Sequence, residues 1–309
     1  MNNKNQKTSV SIGIPTYKSP DTIPQVLKSL FKQKTKNVKI LEIIIYSDGN
    51  NDDTVKNCKK VARNNKKIKI IDAKVRHGMA YGFKYMASLF KGDIFVLFCD
   101  DIKIADNYLI EKLTKPLISD KKVGLVGGNT IPLSPKNFFQ KAYFSSFNAY
   151  HRTAYKLKDG DNKHTCDGAI LAFSKNLIKK VKFPKEDKRL GNVDAYMYFA
   201  TLTNGFKYRF AKNARVYFEL ASSHSEILSR FSRNNSNKYL LISQFGDIVK
   251  KEYKLPNAEH SKSLVIEFLK NPLGSIYIYS MGRYSEYKGK QIAKNFNPTW
   301  QVIESTKNI

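Results

Sequence analysis

The sequence predicts an α/β fold: a doubly wound mixed sheet with helices on both faces, followed by a helical C-terminal extension. Three observations carry this reading. Short apolar runs alternate with amphipathic stretches from Ser9 to Cys99. Two of those runs, Leu41–Tyr46, interrupted only by Glu42, and Ile94–Cys99, are otherwise apolar throughout. Polar clusters follow the runs directly. Continuous apolar runs are what strands buried on both faces require, and strand–helix alternation assembles them into a largely parallel sheet.

Taken in order, Ser9–Ile14 is β-rich and ends at Pro15-Thr16-Tyr17, a strand entering a loop. Thr22–Gln33 carries Val26, Leu27, Leu30 and Phe31 at helical spacing, with Asp21 or Thr22 as its cap and Pro24 in its first turn. Asp53–Asn64 reads as a helix, Ile68–Ala73 as a strand, Met79–Phe90 as a helix and Ile94–Cys99 as a strand. Beyond Asp101 the alternation loosens. Asp106–Ile118 is helical and Val123–Gly127 a short strand, while the aromatic, polar stretch Asn129–Asn162 has no legible period. Ala169–Phe173 returns as a strand, Val193–Thr203 as a helix and Arg215–Glu219 as a strand. From Ser225 onward the chain reads as amphipathic helix.

With 309 residues and 41% hydrophobic content, the chain can bury a sizeable core. The natural division is a domain over 1–234, with halves at about 1–128 and 129–234, and an extension over 235–309. The net charge of +28 attracts nucleotide diphosphates, anionic lipid headgroups or nucleic acid, and says nothing about fold. Cys58, Cys99 and Cys166 are far apart and form no disulfide framework or CxxC pair, as expected in a reducing cytoplasm. The opening residues lack the apolar core of a signal peptide, and no apolar run approaches the ~20 residues that span a bilayer. A soluble or peripheral protein is expected.

In a doubly wound sheet, ligands bind outside the carboxyl ends of the strands. Four polar clusters fall there: Pro15-Thr16-Tyr17, Ser47 to Asp52, Arg76-His77-Gly78 and Asp100-Asp101. Adjacent carboxylates behind a buried strand repel one another unless something binds them. A divalent cation holding a diphosphate relieves that repulsion, since Mg²⁺ takes one or two carboxylates plus phosphate oxygens. Asp52 and Asp106 read better as caps of the helices that follow. Asp101, after six apolar residues, reads as the ligand.

At these residues the chain resembles family 2 glycosyltransferases of the GT-A fold, from about Ser9 to about Asn234. Ile14-Pro15-Thr16-Tyr17 and the helix ending at Gln33 resemble that family's first strand, loop and helix. Glu42 to Thr54 is similar to its second strand and acidic turn, where base and ribose bind. His77-Gly78 through Asp101 resembles the segment ending in the DxD-type metal site. Phe183 to Asp194, then a helix to Gly205-Phe206, resembles the segment with the catalytic carboxylate. The resemblance implies nucleotide-sugar contacts at Pro15, Thr16, Tyr17, Asp48, Arg76, Gly78 and Asp100. It implies a divalent cation (Mg²⁺ or Mn²⁺) on Asp101, with His224 as a further metal ligand or diphosphate contact. It implies acceptor or diphosphate contacts at Asp167, Gly168 and Arg233, and Asp194 as the base of an inverting transfer. The donor would be a UDP- or GDP-sugar and the acceptor a glycan or lipid-linked hydroxyl.

Departures from the pattern set the alternatives. Ser47 replaces the first acid of the turn, Cys99 stands where the first metal-motif acid would be, and Val193 precedes Asp194 in place of Glu. The Gln-x-x-Arg-Trp motif of chain-polymerising members appears as Arg230-Phe231-Ser232-Arg233-Asn234, which favours single addition. A degenerate, non-catalytic member is one alternative. A basic nucleic-acid-binding protein is another, disfavoured because acids at the strand ends would repel phosphate. A nucleotidyltransferase would require a Gly-rich phosphate loop, which Ile12–Lys18 does not supply. Phe268–Tyr287 reads either as an amphipathic helix on an anionic membrane at the inner face of the cell membrane or as a helix packed on the catalytic domain. The ending Thr299-Trp300 to Ser305-Thr306-Lys307 is similar to a terminal motif of prokaryotic relatives.

Overall fold

A computed structural model describes residues 7–63, 65–186, 190–294, 297, 299 and 302–307. An eight-stranded sheet forms its centre. The strands, in chain order, are β1 (Thr8–Thr16), β2 (Val38–Asp48), β3 (Ile68–Ala73), β4 (Ile94–Phe98), β5 (Lys103–Ile104), β6 (Val123–Pro132), β7 (Ile170–Ser174) and β8 (Lys207–Phe218). Their spatial order is β3-β2-β1-β4-β7-β6-β8-β5. β3, β2, β1 and β4 run parallel, whereas β7 is antiparallel to both β4 and β6.

The apolar runs explain why these strands lie at the centre. Val10, Ile12 and Ile14 of β1 and Ile43 and Ile45 of β2 face one way, against α1 (Thr22–Phe31) and α4 (Leu109–Ser119). Ile44, Tyr46, Phe95 and Leu97 face the other, against α3 (Met79–Leu89) and α7 (Val193–Thr203). Both layers are fully buried, so the sheet leaves no polar face. Gly13 is required at the centre: a Cβ there would stand 2.5 Å from the Phe95 ring. β1 lies between β2 and β4, so the chain moves outward from β1 to β3 and then returns to β4. The loops leaving β1 and β4 therefore diverge and open a crevice at the carboxyl ends of the strands.

The second half departs from expectation in three places. β8 starts at Lys207 rather than Arg215, and β6 continues to Pro132 rather than stopping at Gly127. The two pair in parallel with a register shift at Gly128/Asn129, an irregularity that hides their length from any period-two count. The unassigned stretch holds α5 (Phe138–Lys156), whose cap is Asn137, accepting from the Gln140 N–H. The proposed boundary at 234/235 falls inside the unbroken helix α8 (His224–Phe245), so no linker separates the extension from the domain there.

After α6 (Lys175–Lys180) and α9 (Asp247–Glu252), the last helices are α10 (Asn257–Lys270) and α11 (Pro272–Lys294). The stretch read as one helix over Phe268–Tyr287 is broken at Asn271, because Pro272 disfavours helical backbone in the residue before it. Gly274, Ile278, Met281, Ser285 and Gly289 form the buried side of α11. A Cβ at Gly289 would lie 2.6 Å from Cβ of Asn235 in α8. One face of this helix packs on the domain, while Leu269, Leu273, Ile276 and Tyr279 stay exposed at or near the bend.

Candidate active site

A cleft of about 340 Å³ opens at the crevice between the diverging loops. Asp100, 5% exposed, ties its two sides together. Its Oδ2 accepts from the Tyr17 N–H at 3.1 Å and the Ser19 hydroxyl at 2.6 Å, so the loop after β4 fixes the loop after β1. Asp48 does the same at the end of β2. Its two oxygens accept from the N–H groups of His77 (2.7 Å) and Gly78 (2.9 Å), and so shape the 76–78 turn. Gly78 has a φ of +95°, a conformation that favours glycine. Arg76 lies with its guanidinium 4.0 Å from the Tyr17 ring centroid. Pro15, Thr16, Tyr17, Asp48, Arg76, Gly78 and Asp100 thus line one connected part of the cleft. Ser47, where the family pattern has an acid, donates to Asp72 Oδ1 at 3.0 Å and accepts from Asn50 Nδ2 at 3.1 Å, which holds the turn together.

The C-terminal segment enters the same cleft. Lys307 Nζ donates to Asp100 Oδ1 at 2.6 Å, and Thr306 Oγ1 donates to Asp101 Oδ2 at 3.0 Å. Burial opposes the charge on Lys307, but Asp100 and Asp101 outweigh it and hold its pKa above the ordinary lysine value. The ammonium thus lies against Asp100 and within the field of Asp101. Among the described residues, no cluster of three or more His, Cys, Asp or Glu side chains is arranged to hold a metal ion. Two carboxylates suffice for a cation that takes its remaining ligands from water and phosphate.

Asp167 and Gly168, which precede β7, and Asp194, in the first turn of α7, line the cleft as well. Burial pushes the Asp194 pKa above the usual carboxylate range, and the nearby Asp167 adds to the rise. Lys163, Arg233 and the Ala195 N–H pull it back. A Cβ on Gly168 would sit 3.7 Å from Asp194 Cβ and Cγ, so the glycine leaves that side of the carboxylate open. Asp167 Oδ1 accepts from the Ala169 N–H at 2.9 Å and stiffens the turn. Arg233 lines the cleft beside Arg230, whose guanidinium lies 5.8 Å and 5.7 Å from the Tyr143 and Phe218 ring centroids. Asp101 and Asp194, from distant parts of the chain, face one cleft.

His224 is the exception among the predicted site residues. It is the first residue of α8, exposed, with Nδ1 3.2 Å from the Tyr277 hydroxyl, and it does not line the cleft. Placing it after the strand was correct in sequence, but the turn into α8 points it toward α11. Asp52 and Asp106 accept from the N–H groups of Thr54 and Tyr108, two residues on, in local turns; the N-cap positions expected of them fall instead to Asp53 and Tyr108, neither of which makes a capping bond through its side chain. Sequence reasoning missed Tyr46, Glu219, Arg230, Thr306 and Lys307 as lining residues. Arg230 was signalled by its i, i+3 spacing from Arg233, and Lys307 by the terminal motif.

The sequence profile of Glycosyl transferase family 2 matches residues 11–182, more than half of the chain. The chain belongs to glycosyl transferase family 2. No curated protein sequence matches it. Among solved structures, the mannosyltransferase PcManGT from Pyrobaculum calidifontis, in complex with GDP-Man and Mn²⁺, is similar at a TM-score of 0.63 and 12% identity. That alignment covers 94% of this chain and 88% of the other. Glucosyl-3-phosphoglycerate synthase from Mycobacterium tuberculosis, in complex with Mn²⁺, UDP and glucosyl-3-phosphoglycerate, aligns at a TM-score of 0.52 and 16% identity. It covers 77% and 80% of the two chains. The fold of this family 2 glycosyltransferase is therefore GT-A, with C-terminal helices added.

Proposed function

We propose that this glycosyltransferase moves one sugar from a nucleoside-diphosphate donor to an acceptor hydroxyl, with inversion at the anomeric carbon. The observation that carries the proposal is that Asp194, Asp100 and Asp101, from distant segments of the chain, line one cleft, where burial also raises the proton affinity of Asp194. A carboxylate with raised proton affinity suits a general base, a role that contributes typically 10²–10⁴-fold. As the acceptor oxygen bonds to the anomeric carbon, the bond to the diphosphate oxygen breaks and the acceptor proton passes to Asp194. In-line displacement of this kind inverts the centre. Asp101 and Asp100 would hold a Mg²⁺ or Mn²⁺ ion, which neutralises charge developing on the leaving diphosphate. Arg76 and Arg233 supply further positive charge for that diphosphate, and their guanidinium forks suit phosphate oxygens.

The nucleotides in the similar structures, the donor GDP-Man in one and the nucleoside diphosphate UDP in the other, support a GDP- or UDP-sugar here. Loss of the Gln and Trp around Arg233 supports single addition in glycan, glycolipid or surface polysaccharide synthesis. No described helix is long and apolar enough to cross a membrane. The exposed apolar residues about the α10–α11 bend and the net charge of +28 support peripheral contact with an anionic membrane surface on the cytoplasmic side.

A thermal-shift titration with GDP, UDP and their sugars tests the donor reading, with and without Mn²⁺. A ligand that binds only the folded chain raises its melting temperature by mass action. Mn²⁺-dependent stabilisation by GDP or UDP is the expected result. Stabilisation by DNA and by no nucleotide would overturn the proposal. Flotation with phosphatidylglycerol vesicles checks the membrane contact, which should be absent with phosphatidylcholine alone.

A further inference from the structure

Behind Asp194 lies a second cavity of about 890 Å³, enclosed by α5, α8, α10 and α11. It is continuous with the donor cleft through Asp167, Asn192, Asp194, Phe218, Arg230 and Asn234, which line both. Its inner wall differs from an ordinary core. Lys163 is only 8% exposed and His164 only 6%, and both line the void. Among the described residues, no carboxylate pairs with the Lys163 ammonium; its recorded neighbour is the face of Tyr253, 5.3 Å away. Burial opposes its charge, but Tyr253, Asp194 and Tyr150 together hold its pKa above the ordinary value, so it stays an ammonium. Lys238 approaches the same Tyr253 ring at 5.5 Å and lines the same void.

The unpaired ammonium has company. Among the described residues, His151 Nδ1, His260 Nδ1 and Ser275 Oγ are buried without a hydrogen-bond partner, and all three line this cavity beside His164. Buried polar groups are overwhelmingly paired, and each orphan costs free energy. The Lys163 ammonium is balanced through space by Tyr253 and Asp194 but has no direct ion-pair partner among the described residues. The carboxylates farther out do not supply one: Glu267 is bonded by Arg152 and Lys270, and Glu286 by Arg283. These groups share one void and lack one kind of partner, an anion with several oxygens.

We propose that this cavity is the acceptor site and that the acceptor bears a phosphate, held at Lys163 and His164 with a hydroxyl turned toward Asp194. The assignment rests on Asp194 being the base of the transfer. Three terminal oxygens of a phosphate ester match three ammonium donors and adjacent hydroxyl and imidazole groups better than the two oxygens of a carboxylate do. Lys163 and Asp194 line the same cavity, so an anion held at the one shares that space with the base. The outer rim of the cavity is apolar and open: Leu264, Val265, Phe268, Ile276 and Tyr279 line it and are 42–65% exposed. A phosphate on a soluble ester and one on a lipid headgroup would both enter by that route.

The test uses the full chain with GDP or UDP and Mn²⁺ at saturation, so that the donor cleft is filled. Glycerol 3-phosphate and inorganic phosphate are titrated by calorimetry and thermal shift, with glycerol as control. Phosphatidylcholine vesicles with and without phosphatidic acid form the lipid arm. Saturable binding of phosphate or its ester, but not glycerol, is expected, at least tenfold weaker in Lys163→Met. Binding to phosphatidic acid vesicles alone, lost in the same variant, assigns the lipid source. If that variant does not fold, Lys238→Gln, at the half-buried neighbour, should weaken phosphate binding while nucleotide binding stays within twofold. Phosphate binding that is absent in both arms, or unchanged in the variants, overturns the proposal. Nucleotide that fails to bind while Lys163-dependent phosphate binding persists would instead remove the transferase reading and leave the anion site standing.

Discussion

In the donor cleft the carboxylates at the strand ends have partners within the chain. Asp48 takes two backbone amides, Asp100 takes the Tyr17 amide, the Ser19 hydroxyl and Lys307, and Asp101 takes Thr306. In the cavity behind it, among the described residues, the Lys163 ammonium has no direct ion pair, and the Nδ1 atoms of His151 and His260 and the Ser275 hydroxyl have no hydrogen-bond partner. Asp194 sits where the two meet. The difference teaches that the acids of the cleft are matched within the chain, by the C-terminal segment among others, whereas the polar groups of the cavity are matched less completely.

Substitutions at the junction and in each wall break or sharpen this contrast. The largest effect is expected for Asp194→Asn. Transfer should fall by about 10²–10⁴-fold, the worth of a general base, while Mn²⁺-dependent nucleotide binding stays; a single-turnover assay measures both, and unchanged turnover would remove Asp194 from the mechanism. Next comes Lys307→Met in the cleft. If the tail and the cation share Asp100 and Asp101, this variant should bind Mn²⁺ without nucleotide about tenfold more tightly, equivalent to about 1.4 kcal/mol.

A pH effect is smaller and has a fixed sign. The Asp194 pKa is raised on folding, so its proton favours the folded state below the ordinary carboxylate pKa, and that stability is lost as pH rises through the raised value. Asp194→Asn should therefore melt higher than the wild type at neutral pH and no higher in acid. The same raised pKa should set the acid limb of kcat/KM above the usual carboxylate range. The smallest effect is expected at Asp52→Ala, which removes one local bond to Thr54. Loss of about 0.5–1.5 kcal/mol in urea unfolding, with nucleotide affinity unchanged, would confirm that this acid of the turn is structural.

The half of the molecule that carries the nucleotide site was legible residue by residue. β1 through β4 start and stop close to where their apolar runs do, because strands buried on both faces leave a continuous signature. Once those strands are placed, Tyr17, Asp48, Arg76 and Asp100 fall at their ends and meet at the switch point. The second half was less legible. α5 mixes aromatic and polar side chains because it packs on a sheet edge, on α10 and α11 and around a void at once, so no single period emerges. His224 was assigned to the cleft on spacing from a strand end, and only the direction of α8 moved it away.

What the sequence by itself determined was the parallel half-sheet, the acids and glycines at its strand ends and, through ordered motifs, the family. Each is written into neighbouring residues, where spacing alone dictates which face a side chain takes. Only the tertiary structure decided that Lys307 and Thr306 reach Asp100 and Asp101, and that Lys163, His151, His164, His260 and Ser275 surround one void. Those groups come from separate segments, and whether a buried charge has a partner depends on which distant side chains the fold brings within a few ångströms of it.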